Sequence, residues 1–149
     1  SLVGSEMCIR DRYMSDVGLL RRKARLNYRT VLEGNKSYIS FKGALTENYV
    51  YTELQSMGID AYFWRSNANA ELDFVTDFEG VLLPVEVKSA DNTKAKSLQL
   101  FCKRYHPRMA IKTSLKNVGD NQEGETHIWS IPLYTLFRLK EYLYKEMNW

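Results

Sequence analysis

The sequence has few cysteines and no long apolar run, and each absence excludes a class of protein. Its two cysteines, Cys8 and Cys102, lie far apart and have neither zinc-ligand spacing nor the density of a disulfide framework. This usage predicts a reducing, cytoplasmic compartment. No run approaches the length of a membrane span, and no signal peptide opens the chain, so we expect no membrane partner.

Repeats and low-complexity tracts are also absent, which leaves a globular domain as the default. The chain has 149 residues, of which 44% are hydrophobic and 26% are charged. These values are typical of a soluble domain that is long enough to bury one core. We therefore expect a single main domain, with disorder only at its ends.

Acidic residues are missing from one stretch. Between Lys94 and Gly119 there are seven Lys or Arg residues and no Asp or Glu, although the net charge of the whole chain is only +3. Phosphate binding is one explanation for such a block, and a solvated surface is the commoner one.

Residues 71–88 form two strand-like runs joined by a turn at residues 77–80, where Gly80 can take a positive φ. Alternation puts the charged side chains of each run on one face and the apolar ones on the other. The charged set is Glu71, Asp73, Glu86 and Lys88, and the apolar set is Leu72, Phe74, Val85 and Val87.

If this hairpin folds about its middle, Asp73 lies opposite Glu86 or one step away from it. Two carboxylates and the amine of Lys88 then converge. Like charges that face each other across a strand pair cost free energy, so their convergence indicates a bound cation or a substrate. The alternative is a solvated sheet face on which acids and lysines alternate.

The segment 41–57 has the period of a helix, and Gly58 is expected to end it. Glu47 falls on the same stripe as the apolar residues of this helix. Burial of a carboxylate there costs free energy unless a cation or hydrogen-bond donors compensate it. Alternatively, Glu47 lies at the edge of the stripe and reaches solvent. The apolar stripe is Ala44, Val50, Tyr51, Leu54 and Met57.

The other elements complete an α/β pattern, which predicts a mixed central sheet flanked by helices. Pro132 is expected to open the last helix, with Leu133, Leu136, Phe137, Leu143 and Met147 inward. The other predicted elements are strands at 61–65, 109–113 and 127–131, a helix at 94–105 and a loop at 117–125.

The chain divides into three segments. Residues 1–12 lack an initiating Met and any clear period, and they resemble translated sequencing-adapter read-through, so we exclude them from the fold. Residues 13–40 are expected to be a connector, and residues 41–149 the main domain. On this interpretation the chain is a piece of a longer protein.

An acid on a leading helix, an Asp in a strand, and Glu-x-Lys in the next strand resemble the PD-(D/E)XK nuclease superfamily. More closely, five segments in order resemble the C-terminal domain of unknown function attached to prokaryotic AAA-type ATP-binding proteins. These segments are Tyr13–Leu20, Gly43–Asn48, Trp64–Arg65, Ala70–Phe74 and Val85–Ser89.

The resemblance implies a restriction-endonuclease-like fold and an upstream ATPase module as partner. This chain itself has no Gly-x-x-x-x-Gly-Lys-Ser/Thr loop, so it is not expected to bind ATP by that route. It also departs from the superfamily pattern, because Leu72 stands at the position of the namesake Pro, and Gln99 has no Tyr four residues later.

In nuclease chemistry, Asp73 and Glu86 hold Mg²⁺ or Mn²⁺, and Glu47 is a third metal-binding carboxylate. Lys88 orients the attacking water or stabilises the oxyanion. Arg65 either contacts phosphate or pairs with Glu71, and Trp64 is expected in the core rather than under a base. The residues predicted to bind nucleic acid are Arg65, Ser89, Lys94 and Lys96.

Two functions follow from this set of residues. The first is a magnesium-dependent nuclease domain that hydrolyses phosphodiester bonds in DNA. The second is a catalytically inactive module of the same fold that binds nucleic acid or protein and regulates the ATPase. Neither His106 nor His127 has a ligand-spaced partner, so we assign no catalytic role to them.

Overall fold

A computed structural model describes residues 36–66, 70–88, 96–115 and 118–147. It confirms the α/β class, since a six-stranded mixed sheet carries helices. The elements are α1 (Lys36–Ser56), β1 (Ala61–Arg65), β2 (Glu71–Phe78), β3 (Val81–Lys88), α2 (Lys96–Tyr105), β4 (Met109–Ser114), β5 (Gly119–Glu123), β6 (Thr126–Pro132), a 3₁₀ helix (Leu133–Arg138) and α3 (Leu139–Met147).

The sheet has the strand order β1-β2-β3-β4-β6-β5. Strands β1, β2 and β3 pair antiparallel, whereas β3, β4 and β6 run parallel, and β5 pairs antiparallel with β6. The carboxyl ends of β3, β4 and β6 therefore meet at one edge. In open α/β sheets, ligands bind in the crevice at this edge.

Two apolar cores lie on opposite faces of the sheet. Core 1 lies under α1, the 3₁₀ helix and α3, and core 2 lies under α2. Core 1 contains Val50, Leu54, Ile59, Ala61, Phe74, Phe78, Leu83, Val85, Val87, Ile111, Ile131, Leu133, Leu136, Leu139 and Leu143. Core 2 contains Trp64, Leu72, Val75, Leu98, Phe101, Cys102, Ala110 and Ile128.

Strand β2 has one extra residue relative to β1. Tyr62 pairs with Val75 and Trp64 pairs with Leu72, so two residues of β2, at positions 73 and 74, lie opposite one residue of β1. Such a bulge interrupts strict alternation. Leu72 consequently belongs to core 2 and Phe74 to core 1, and the prediction that they share a face is wrong.

Helix α1 begins at Lys36, five residues before the predicted start at 41 and within the predicted connector. Gly58 follows it with a φ of 68°, a left-handed conformation that confirms the predicted helix end. Val50 and Leu54 are fully buried as predicted, but Ala44 is exposed. Residues 1–12, and the connector up to residue 35, lie outside the described residues.

The predicted loop at 117–125 is wrong, because Gly119–Glu123 forms the edge strand β5. Gly124 turns the chain with a φ of 60°, and Glu123 pairs with Thr126 across the turn. The three central residues of β5 are exposed, so the strand shows no apolar alternation that a sequence pattern could reveal.

The last helical segment begins after Pro132 as predicted, but its first six residues form a 3₁₀ helix. Three residues per turn put Leu133, Leu136 and Leu139 on one line, and all three are buried. Phe137 is 61% exposed, so the prediction that it is inward is wrong. None of the helices in the described ranges has both the length and the apolar composition of a membrane span.

Candidate functional site

The carboxyl end of β3 carries a buried acid beside a lysine. Val85 and Val87 belong to core 1, so alternation directs Glu86 and Lys88 to the opposite face, on the α2 side. Glu86 is only 4% exposed, and its Oε1 lies 2.5 Å from Nζ of Lys88. The solvated-face alternative is therefore wrong for this strand.

Asp73 lies next to this pair because of the register between β2 and β3. The β2–β3 ladder ends at the Phe74–Val85 pair, and one further step in this register leads to Asp73 and Glu86. Instead of a ladder bond, Oδ2 of Asp73 accepts a 2.6 Å hydrogen bond from the backbone N–H of Val87. The β2–β3 register and the effect of the Glu86 charge on the pKa of Asp73 agree with the predicted approach of the two carboxylates.

Burial dominates the electrostatics of the two acids. Burial first, and then the charge of Glu86, raise the pKa of Asp73 to about 7 from a reference of 3.8, against the opposing effects of the Val87 N–H and Lys88. Burial also raises the pKa of Glu86, against the hydrogen bond and charge of Lys88. Both shifts show that the charged forms lack compensation, which a bound cation would supply.

Glu47 is half-buried on α1, and its charge adds to the forces that raise the pKa of Glu86. The helix that carries it packs over core 1 and contacts β3. The structure thus brings Asp73, Glu86 and Lys88 together through direct contacts or strand register, and it brings Glu47 within electrostatic range of Glu86.

One oxygen of the site has no hydrogen-bond partner. Oε2 of Glu86 is buried and makes no hydrogen bond, although buried carboxylate oxygens are normally paired. Within the described ranges, no three His, Cys, Asp or Glu residues group as ligands for a metal ion. Asp73 and Glu86 supply carboxylate oxygens, the donor type that a hard cation prefers, and water or substrate oxygens would have to supply the remaining ligands.

The predicted nucleic-acid contacts divide into three cases. Arg65 forms an ion pair with Glu71 across the β1–β2 ladder, with side-chain exposures of 56% and 47%. Lys96 is exposed at the first residue of α2. Ser89 and Lys94 lie outside the described residues.

Trp64 is 2% exposed in core 2, where its Nε1–H donates to the Tyr105 hydroxyl over 3.2 Å. This confirms the prediction that it is a core residue. It also removes a base-stacking role for Trp64.

Two further polar residues lie at this edge, and the sequence analysis gave neither a role. Lys112 pairs with Glu86 in the parallel β3–β4 register, and Ser114 pairs with Lys88. Residues in register on parallel strands share a face, so Lys112 adds a second half-buried lysine beside Glu86. The strand–helix–strand order of this region is typical of a parallel crossover, so the sequence could have predicted that β4 lies beside β3 and that Lys112 lies near Glu86.

A mixed sheet with two adjacent acids and a lysine at the carboxyl edge of its parallel strands defines an α/β domain with a polar, partly buried site. The chain belongs to the family named DUF4143, described as a domain of unknown function, whose model matches residues 42–136. The matched region includes α1 from Lys42 onward, all six strands and α2. No curated protein matches the chain.

Proposed function

We propose that this domain is a magnesium-dependent, nuclease-like phosphodiesterase that acts on DNA. The observation that carries the proposal is the unpartnered, buried Oε2 of Glu86 beside Asp73, whose pKa is raised to about 7. A site that stores two poorly compensated carboxylates loses stability unless a ligand uses them. A hard divalent cation is the ligand whose chemistry matches these oxygens.

The residues of the chain divide the work of hydrolysis. Asp73 and Glu86 would hold the cation, and the charge of Glu47, which acts on Glu86, would add to the negative potential at the site. Bound Mg²⁺ would polarise the scissile phosphate and lower the pKa of a coordinated water. Lys88 carries its ammonium at the exposed end of the site and stabilises the negative charge that develops on the phosphate.

Phosphate positioning falls to two lysines, one on the strand beside Glu86 and one at the start of α2. Lys112 lies in register with Glu86, and Lys96 is exposed at the start of α2. Their charges attract a polyanion without reading its sequence. Arg65 remains available to the backbone of DNA only if phosphate displaces Glu71 from their exposed ion pair.

The element order supports a restriction-endonuclease-like fold of the PD-(D/E)XK type as part of this proposal. An acid on α1, an Asp in β2 and Glu-x-Lys in β3 follow one another in the order of that superfamily. On the same resemblance we propose that the domain functions beside an AAA-type ATPase module.

A cleavage assay tests the proposed function. The full chain is titrated with Mg²⁺ and Mn²⁺ in the presence of plasmid and oligonucleotide DNA, and initial rates are compared with those of Asp73→Asn and Glu86→Gln. We expect metal-dependent cleavage that either change lowers at least a hundredfold. The matched control is Glu71→Gln, an exposed acid on the same strand, which should retain activity. Equal rates in Asp73→Asn and the wild-type chain would refute the proposal.

A specific observation keeps the inactive binding module as a second candidate. Lys88 lies 2.5 Å from Glu86 and provides an internal cation for it, and the described ranges contain no cluster of three metal ligands. If the acids are structural, DNA binding is independent of Mg²⁺ and no strand is cut. Electrophoretic mobility shifts with and without EDTA distinguish the two candidates.

A further inference from the structure

A pocket of about 200 Å³ lies at the end of the sheet away from Glu86. It is formed where β3, β4 and β6 begin and α3 ends. Val81 in its lining is seven residues from Lys88, about 23 Å along an extended strand. Its apolar lining is Phe78, Val81, Leu83, Met109, Leu143 and Met147.

Contacts made by residues of the lining and their neighbours hold the walls of this pocket in place. The Tyr144 hydroxyl on α3 donates to Oε1 of Glu79 in the β2–β3 turn over 3.0 Å, and the Tyr144 ring meets the edge of Phe78. On the other side, the carbonyl oxygen of Arg108 accepts from the N–H of His127 over 3.0 Å. A pocket fixed in this way needs little rearrangement before it binds a ligand.

Three polar residues complete the lining, and two of them carry unpaired charges. Among the described residues, neither Arg108 nor Glu146 has an ion-pair partner, and both are exposed. His127 differs, since its Nε2 contacts Asp120 and lies 3.1 Å from Nε1 of Trp129. The lining of the pocket therefore combines one cation and one anion with six apolar side chains.

We propose that this pocket binds a free apolar α-amino acid. The carboxylate of the ligand pairs with Arg108, its ammonium pairs with Glu146, and its side chain fills the apolar base. A cavity of about 150 Å³ lined by apolar residues accepts benzene, so this pocket accommodates one ring or one branched chain. A zwitterion satisfies both charges, whereas a carboxylic acid or an amine satisfies one. This site is independent of the proposed nuclease function.

Calorimetric titration of the full chain with L-phenylalanine, L-leucine, 3-phenylpropionate, phenethylamine and glycine tests this proposal. We expect saturable binding of the two apolar amino acids. The two single-charge analogues should bind at least tenfold more weakly, and glycine should show no binding. NMR should place the shifts on the methyl groups of Leu83, Met109 and Leu143, and not on Val87.

Substitutions in the lining of the pocket test which residues contact the amino acid. Arg108→Gln and Glu146→Gln should each weaken L-phenylalanine at least fivefold, whereas Arg104→Gln, an exposed arginine outside the pocket, should leave its affinity unchanged. Val81→Trp should abolish binding by filling the pocket, and the two surface changes remain informative if Val81→Trp does not fold. Equal affinity for 3-phenylpropionate and L-phenylalanine would overturn the zwitterion assignment. Absence of saturable binding at about 10 mM amino acid would overturn the site itself.

Discussion

The carboxyl end of β3 holds a buried carboxylate beside a lysine, whereas its amino end lines an apolar pocket. Leu83 and Glu86 are three residues apart and almost equally inaccessible, with exposures of 1% and 4%. Burial of the leucine stabilises the fold through the hydrophobic effect, and burial of the glutamate opposes it through desolvation.

The comparison separates buried positions that favour folding from one that opposes it. Along β3, the residues from Leu83 to Val87 are all buried, and Glu86 is the one among them with a polar side chain, whose Oε2 has no hydrogen-bond partner. The apolar burial in core 1 and core 2 offsets the free-energy cost of burying the Glu86 carboxylate.

The largest expected effect lies at the apolar end. Leu83→Ala should lower the free energy of unfolding by about 2–5 kcal/mol, because it removes a fully buried side chain from core 1 and enlarges a cavity. Urea denaturation followed by circular dichroism measures the change. A loss below about 1 kcal/mol would mean that the pocket already leaves Leu83 poorly packed.

Beside the polar end of β3, Asp73→Asn should change the free energy of unfolding in the opposite direction, so that the variant is more stable. Because the folded pKa of Asp73 is about 7 against a reference of 3.8, the unfolded chain releases this proton first as the pH rises. The free energy of unfolding should therefore fall between about pH 4 and pH 7 and stay low above it.

The asparagine has no proton to release and can still accept from the N–H of Val87. At pH 8 in EDTA, Asp73→Asn should therefore be more stable than the wild-type chain by on the order of 2–4 kcal/mol, with a weaker dependence on pH. Urea denaturation at a series of pH values provides the measurement. A variant that is less stable than wild type at pH 8 would show that the carboxylate is structural.

An intermediate effect is expected at Lys88. Lys88→Met removes the cation beside Glu86 and should cost about 1–3 kcal/mol, less than a fully buried pair because a quarter of the lysine side chain is exposed. Adding Glu86→Gln to Lys88→Met should restore most of the loss. A double-mutant cycle measures the coupling, and additive effects would show that the contact contributes nothing.

The smallest effect is expected for the exposed pair on β1 and β2. Arg65→Gln should change the free energy of unfolding by about 0–1 kcal/mol, because both partners of the Arg65–Glu71 pair are roughly half exposed. Thermal melts of the wild-type chain and the variant at low and high salt measure this change in stability. A larger, salt-insensitive loss would place this pair with the buried charges.

Much of the fold could be predicted from local signals. Gly58 ends a helix and Gly80 takes a φ of 78° in the hairpin turn, each as the sequence pattern predicts. The pairing of Glu86 with Lys88 follows from alternation alone, because β3 is regular.

The rest could not be predicted because it depends on neighbouring strands. The bulge that puts Leu72 and Phe74 on different faces of the sheet is defined against β1, and Asp73, although a common turn residue, does not locate it by itself. The 3₁₀ geometry that exposes Phe137 and the polar edge strand β5 also lack a periodic apolar signal. The PD-(D/E)XK assignment, the metal, the DNA substrate and the cytoplasmic location stay predictions.

The most direct test of the central claim, that Asp73 and Glu86 hold a divalent cation, is a set of thermal melts with and without millimolar Mg²⁺. At a free metal concentration tenfold above Kd, binding should stabilise the wild-type chain by about 1.4 kcal/mol and raise its Tm by about 3–6 °C. Neither Asp73→Asn nor Glu86→Gln should respond, whereas Glu71→Gln should respond as the wild type does. A wild-type chain indifferent to Mg²⁺, beside an Asp73→Asn variant that melts at a lower temperature, would contradict the account.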